Sequence, residues 1–108
     1  MFTPGETVVH HFIIPFADDE LAKVVITYKQ HDRIVFMKEI ISNFEKITEV
    51  STRITLALSQ QETLLFDDNS NYSIMLNVFT NRGSRATSAE LHDRTGKQHY
   101  KKVMSNGW

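Results

Sequence analysis

Apolar and polar residues alternate over five stretches of this chain, and a period of two marks strands with one buried and one open face. Val8 to Ile14 is rich in β-branched and aromatic residues and ends at Pro15, whose missing amide blocks continuation of a strand. After the polar turn Asp18, Asp19, Glu20, the residues Val24, Ile26 and Tyr28 alternate with Val25, Thr27 and Lys29. The short link Gln30, His31, Asp32 then leads to Ile34, Val35, Phe36 and Met37, so residues 23–40 read as a β-hairpin. Thr52 to Leu58 alternates most cleanly, with Ile54, Leu56 and Leu58 facing one way and Arg53, Thr55 and Ala57 the other. Tyr72 to Thr80 repeats the pattern after a polar loop from Asp67 to Asn71. Asn81 to Ser84 forms a glycine-containing reversal into a more polar strand from Arg85 to about His92. Thr95, Gly96 and Lys97 make a further turn, and Tyr100 to Met104 adds a last short strand.

One stretch follows a competing period. Met37, Ile40, Ile41, Phe44 and Ile47 recur at three- and four-residue steps with Lys38, Glu39, Asn43, Glu45 and Lys46 between them, as an amphipathic helix over residues 37–48 requires. The preferred reading is a strand to about Ile40 followed by a loop; the helix would make the fold α+β. Ser59, Gln60, Gln61 and Glu62 match a capping box, in which hydroxyl and carboxylate satisfy free amides of a first helical turn. That turn should direct Leu64, Leu65 and Phe66 inward, and Leu56, Leu58, Leu65, Phe66, Ile74 and Leu76 are the expected core. Six to seven strands with one short helical turn predict an all-β fold, a small antiparallel immunoglobulin-like sandwich occupying residues 1–108 as a single domain.

Composition agrees with a packed domain. Apolar residues make up 41% of the 108 and charged residues 23%, which is ordinary globular usage. The chain has no cysteine, so neither disulfides nor thiolate chemistry enter, and a reducing cytoplasm is the expected place of folding. Met1 to Gly5 lacks the basic and apolar parts of a secretory signal, and no stretch approaches the ~20 apolar residues of a membrane-spanning helix. Neither secretion by that route nor membrane insertion is expected.

Candidate chemistry is sparse. His10 and His11 are adjacent on a strand and point to opposite faces, so they cannot share one metal. His92 and His99, with Asp93, flank a turn and form the one conceivable two-histidine, one-carboxylate set, without the local spacing of a metal motif. Asp18, Asp19 and Glu20, and Asp67 with Asp68, lack the ligand alternation of a calcium loop and read as solvated turns. Gly83 and Ser84 lie in a hairpin turn and not in a nucleophile elbow, and the four glycines are too scattered to cradle a phosphate. No catalytic residue, cofactor or metal is expected, and the chain is read as a non-enzyme.

Charge changes the picture more. Residues 1–80 hold 6 basic and 11 acidic side chains, for −5, whereas residues 81–108 hold 6 basic and 2 acidic, for +4. The basic segment 94–108 interleaves Arg94, Lys97, Lys101 and Lys102 with Tyr100 and Trp108, residue types enriched where proteins dock on one another. These six are the candidate protein-interaction residues, aimed at an acidic face of another protein or of a second copy. Nucleic acid is not the expected partner, because the whole chain is slightly acidic at −1.

Three segments, FIIPF at Phe12 to Phe16, ITYKQ at Ile26 to Gln30 and LALSQQETLLF at Leu56 to Phe66, resemble short, largely uncharacterised proteins of phages and prophages of gut bacteria. In those proteins a proline-ended strand, a strand finishing in Tyr-x-Gln and a Leu-x-Gln-x-Glu-Thr-Leu-x-Phe turn recur in this order. The likeness ends before Leu91 to Trp108. It implies a virion structural or assembly role, capsid-associated or head-to-tail, with other virion proteins and copies of the chain itself as partners. The implied location is the virion, after synthesis in the bacterial host cytoplasm. The alternative class is a small soluble adaptor or host-factor inhibitor.

Overall fold

The computed structural model describes residues 2–88 and 90–96. Strands dominate: β1 (Val8–Ile14), β2 (Leu21–Gln30), β3 (Arg33–Ile40), β4 (Glu45–Thr48), β5 (Ser51–Leu58), β6 (Asn71–Thr80), β7 (Arg85–Thr87) and β8 (Leu91–Arg94). A single short helix, α1 (Gln60–Thr63), and a 3₁₀ turn at Asp18–Glu20 complete the described elements. All pairings between strands are antiparallel. One sheet has the order β1-β5-β4 and the other β3-β2-β6-β7, with β8 also on β6. The two pack face to face as a small all-β sandwich. In constant-type immunoglobulin domains the second strand lies beside the first; here β2 lies between β3 and β6.

The hairpin of β2 and β3 turns through His31 and Asp32, both in the left-handed region with φ of 55° and 59°. Two consecutive left-handed residues make the tight reversal whose twist matches paired strands. With β2 as a partner, Met37 to Ile40 satisfy their backbone groups in a ladder, from Thr27↔Met37 to Val24↔Ile40. The helical alternative over residues 37–48 is thereby overturned. The loop expected after Ile40 is also shorter than it read, because Asn43 turns the chain with φ 62° and Glu45 to Thr48 pair with β5 as β4.

The expected strand from Arg85 to His92 is two strands, which brings the described total to eight. Ser88 divides them: its side-chain Oγ accepts the Leu76 amide at 2.9 Å while its own amide donates to the Leu76 carbonyl at 2.8 Å. The side chain thus replaces a backbone carbonyl in the ladder. The strand read at Tyr100 to Met104 lies outside the described residues.

Buried side chains follow the alternation. Phe12 and Ile14 of β1, Val24, Ile26 and Tyr28 of β2, Ile54, Leu56 and Leu58 of β5, and Tyr72, Ile74, Leu76 and Val78 of β6 meet between the sheets. Leu65 is a correction, being 55% exposed. The amides of Leu65 and Phe66 donate to carbonyls three residues back, Glu62 and Thr63, so the end of α1 winds with three residues per turn. Positions 63 and 66 then share a face. Thr63 and Phe66 point inward and Leu65 outward. Among the described residues, no helix is long and apolar enough to cross a membrane.

Candidate interaction surface

Strand β1 is held in place by what its inner face touches. His10 projects inward beside Phe2, Phe12 and Tyr28, its ring stacked on Tyr28 at a centroid distance of 5.7 Å. Tyr28 in turn stacks on Phe36 at 4.8 Å and meets Phe66 edge-on, so one aromatic cluster bridges both sheets. Burial pushes the Tyr28 hydroxyl well above its ordinary pKa and pushes His10 below its own. Both groups are therefore uncharged, and they share a hydrogen bond between the Tyr28 hydroxyl and His10 Nδ1, 2.6 Å apart.

The outer face of β1 carries Val9, His11 and Ile13, with Val9 53% and Ile13 62% exposed. His11 Nδ1 lies 3.0 Å from Thr55 Oγ1 on β5, and this split of the two histidines to opposite faces follows from strand alternation. Val9 stands beside Ala57 and Ile13 beside Arg53, which reaches Glu45 on β4 at 3.4 Å. The apolar side chains of this face lie on its β1 border, and its far side is ionic. In the amino-acid sequence, the signal that sets Val8 to Ile14 apart is the absence of any Lys, Arg, Asp or Glu.

Of the six expected interaction residues, only Arg94 is described. It ends β8 opposite Asn71, and its Nη2 donates to the Asn69 carbonyl at 2.8 Å, so it braces a loop of its own chain. Lys97, Tyr100, Lys101, Lys102 and Trp108 lie outside the described residues, as does His99. His92 sits 3.7 Å from Glu90, and Asp93 faces Tyr72, whose hydroxyl donates to it at 3.4 Å. Among the described residues, no group of three histidines or carboxylates is placed to hold a metal.

Asp67 is more than a solvated turn. The Gln30 side chain, fully enclosed, accepts the Asp67 amide at 2.7 Å and donates to its carbonyl at 3.2 Å. Thr95 Oγ1 donates to the same carbonyl at 2.5 Å, and the Asp67 carboxylate pairs with His31 at 3.0 Å. The turn after α1 is thereby tied to the β2–β3 hairpin and to the end of β8. Beside it, Lys38 of β3 pairs with Glu62 of α1, and that ammonium holds the Glu62 carboxyl below its usual range. No model of a known protein family matches the chain, and no curated protein matches it.

Proposed function

We propose that this chain is a non-enzymatic association domain serving as a virion structural or assembly component of a bacterial virus, capsid-associated or head-to-tail. The observation that carries the association role is β1, an uncharged outermost strand presenting Val9 and Ile13 to solvent. Large apolar side chains grouped on an open sheet surface are what protein partners bury. The three segments that resemble phage proteins support the viral setting, and their residues have structural work: Tyr28 centres the aromatic cluster and Gln30 clamps Asp67. The basic segment 94–108 is a second docking element in this reading, complementary to the acidic balance of residues 1–80.

Quantitative mass spectrometry of purified particles tests the role. A component of the particle is recovered at a fixed copy number relative to the major capsid protein. Its absence from particles that assemble normally in an expressing cell would overturn the virion assignment.

A further inference from the structure

Exposed sheet edges are templates for pairing with another chain, and proteins blunt them with charge, bulges or brevity. Three of the four edges formed by the described strands carry such devices. Strand β4 is four residues long, bears Glu45 and Lys46, and shifts register between Lys46 and Thr48. Strand β3 bears Arg33, Lys38 and Glu39 and has an irregularity opposite Tyr28 and Lys29. The third edge consists of β7 and β8, of three and four residues, with Arg85, Asp93 and Arg94.

Strand β1 has none of these. It runs seven residues without Lys, Arg, Asp, Glu, Gly or Pro, in unbroken register with β5 from Val8↔Leu58 to Ile14↔Thr52. On its other side no strand of the described residues pairs with it.

We propose that β1 pairs antiparallel with β1 of a second copy, across a two-fold axis through His11, joining two three-stranded sheets into one of six strands. This inference rests on the association role above and names a partner for it. Its support is the order of residue types in the strand. Read outward from His11, both directions give a ring (His10, Phe12), a β-branched residue (Val9, Ile13) and a second β-branched residue (Val8, Ile14). A two-fold axis pairs each with its like.

Face continuity selects the same register. Opposed residues of an antiparallel pair share a face, so the outward set Val9, His11 and Ile13 must meet itself. The axis then passes through a residue and not between two, and only His11 pairs all seven. Val9 of each copy lies against Ile13 of the other on the open face, where both side chains are now exposed. A strand of this length spans only about 23 Å, so the contact falls at the small end of specific interfaces, below about 1,200 Å². Weak, reversible self-association is the consequence.

Sedimentation velocity of the full chain between about 1 µM and about 1 mM reads this directly. The wild-type chain should pass from monomer to dimer over that range. In the double variant Val9→Lys, Ile13→Lys, lysines oppose lysines on both sides of the axis, and the dissociation constant should rise at least about tenfold. Both sites are exposed, and circular dichroism and the melting temperature report whether the fold is kept. A cysteine-free chain allows a second readout independent of those variants. His11→Cys places two thiols directly opposite one another and should form a disulfide-linked dimer under mild oxidation, whereas Thr55→Cys, about 14 Å from its counterpart, should not. A monomer throughout the range, or equal cross-linking by both cysteine variants, overturns the proposal. A monomer found in particles at fixed copy number would remove this dimer and leave the virion role standing, whereas a dimer absent from particles would keep this pairing and remove the virion role.

Discussion

Individual side chains differ sharply in what they stabilise. Leu56 lies between the sheets, whereas Leu65, two residues past α1, faces solvent. Leu56→Ala should cost about 2 to 5 kcal/mol, because it removes transfer energy and leaves a cavity, while Leu65→Ala should stay within about 0.5 kcal/mol. Denaturant unfolding of the two variants checks the contrast. His10 links stability to pH. Burial holds its folded-state pKa below the ordinary 6.5, so between the two values the unfolded chain binds a proton that the folded one does not. Stability is therefore present above that window and falls as pH drops through about 6.5. In His10→Phe the other histidines remain and this component disappears. Unfolding free energies measured against pH should diverge between wild type and variant on the acid side, with the wild type losing more. A constant difference across that range would show that His10 is not the coupled group.

At the scale of elements, pairing decides local stability. Strand β2 is bonded on both sides, by β3 and β6, and its inward residues Val24, Ile26 and Tyr28 are fully enclosed. Among the described residues, strand β4 has one partner, a shifted register and no buried residue. Opening β4 exposes little apolar surface, so its amides should exchange at least about a hundredfold faster than those of β2 under native conditions. Hydrogen–deuterium exchange read residue by residue checks the order. The same contrast explains which elements were legible. Val8 to Ile14 and Thr52 to Leu58 alternate because one face of each is buried, whereas β4 presents Glu45, Lys46, Ile47 and Thr48 all to solvent and leaves no pattern. The helical spacing from Met37 to Ile47 is a coincidence of two strands and a turn: Ile40 and Phe44 pack on the core while Met37 and Ile47 are exposed.

For the molecule as a whole, the N-terminal residues are tied to the end of β8. Phe2 bridges Thr95 in a parallel pair, and the Gly96 amide donates to the Phe2 carbonyl at 2.9 Å. Thr95 is buried and its hydroxyl also accepts the Ser70 amide at 3.1 Å. A chain ending at Arg94 should therefore be less stable than one ending at Gly96 by at least about 2 kcal/mol, since it strands several buried partners. Comparing the melting temperatures of the two truncations checks this, and equal values would show that the clasp contributes nothing.

The amino-acid sequence by itself determined the strands that bury one face, the hairpin of β2 and β3, the capping box at Ser59 and most of the core, because these rest on alternation and on contacts between near neighbours. Tertiary structure alone decided the rest. The strand order joins segments far apart, such as β1 with β5 and β2 with β6, and local pattern holds no record of which strand lies beside which. The His10–Tyr28 bond and the Gln30–Asp67 clamp cross 18 and 37 residues and look, in sequence, like ordinary strand and turn positions. The border position of β1 among the described strands has the same origin. Its lack of charge was written in Val8 to Ile14, but whether that strand lies inside a sheet or at its border is settled only by the packing of all the others.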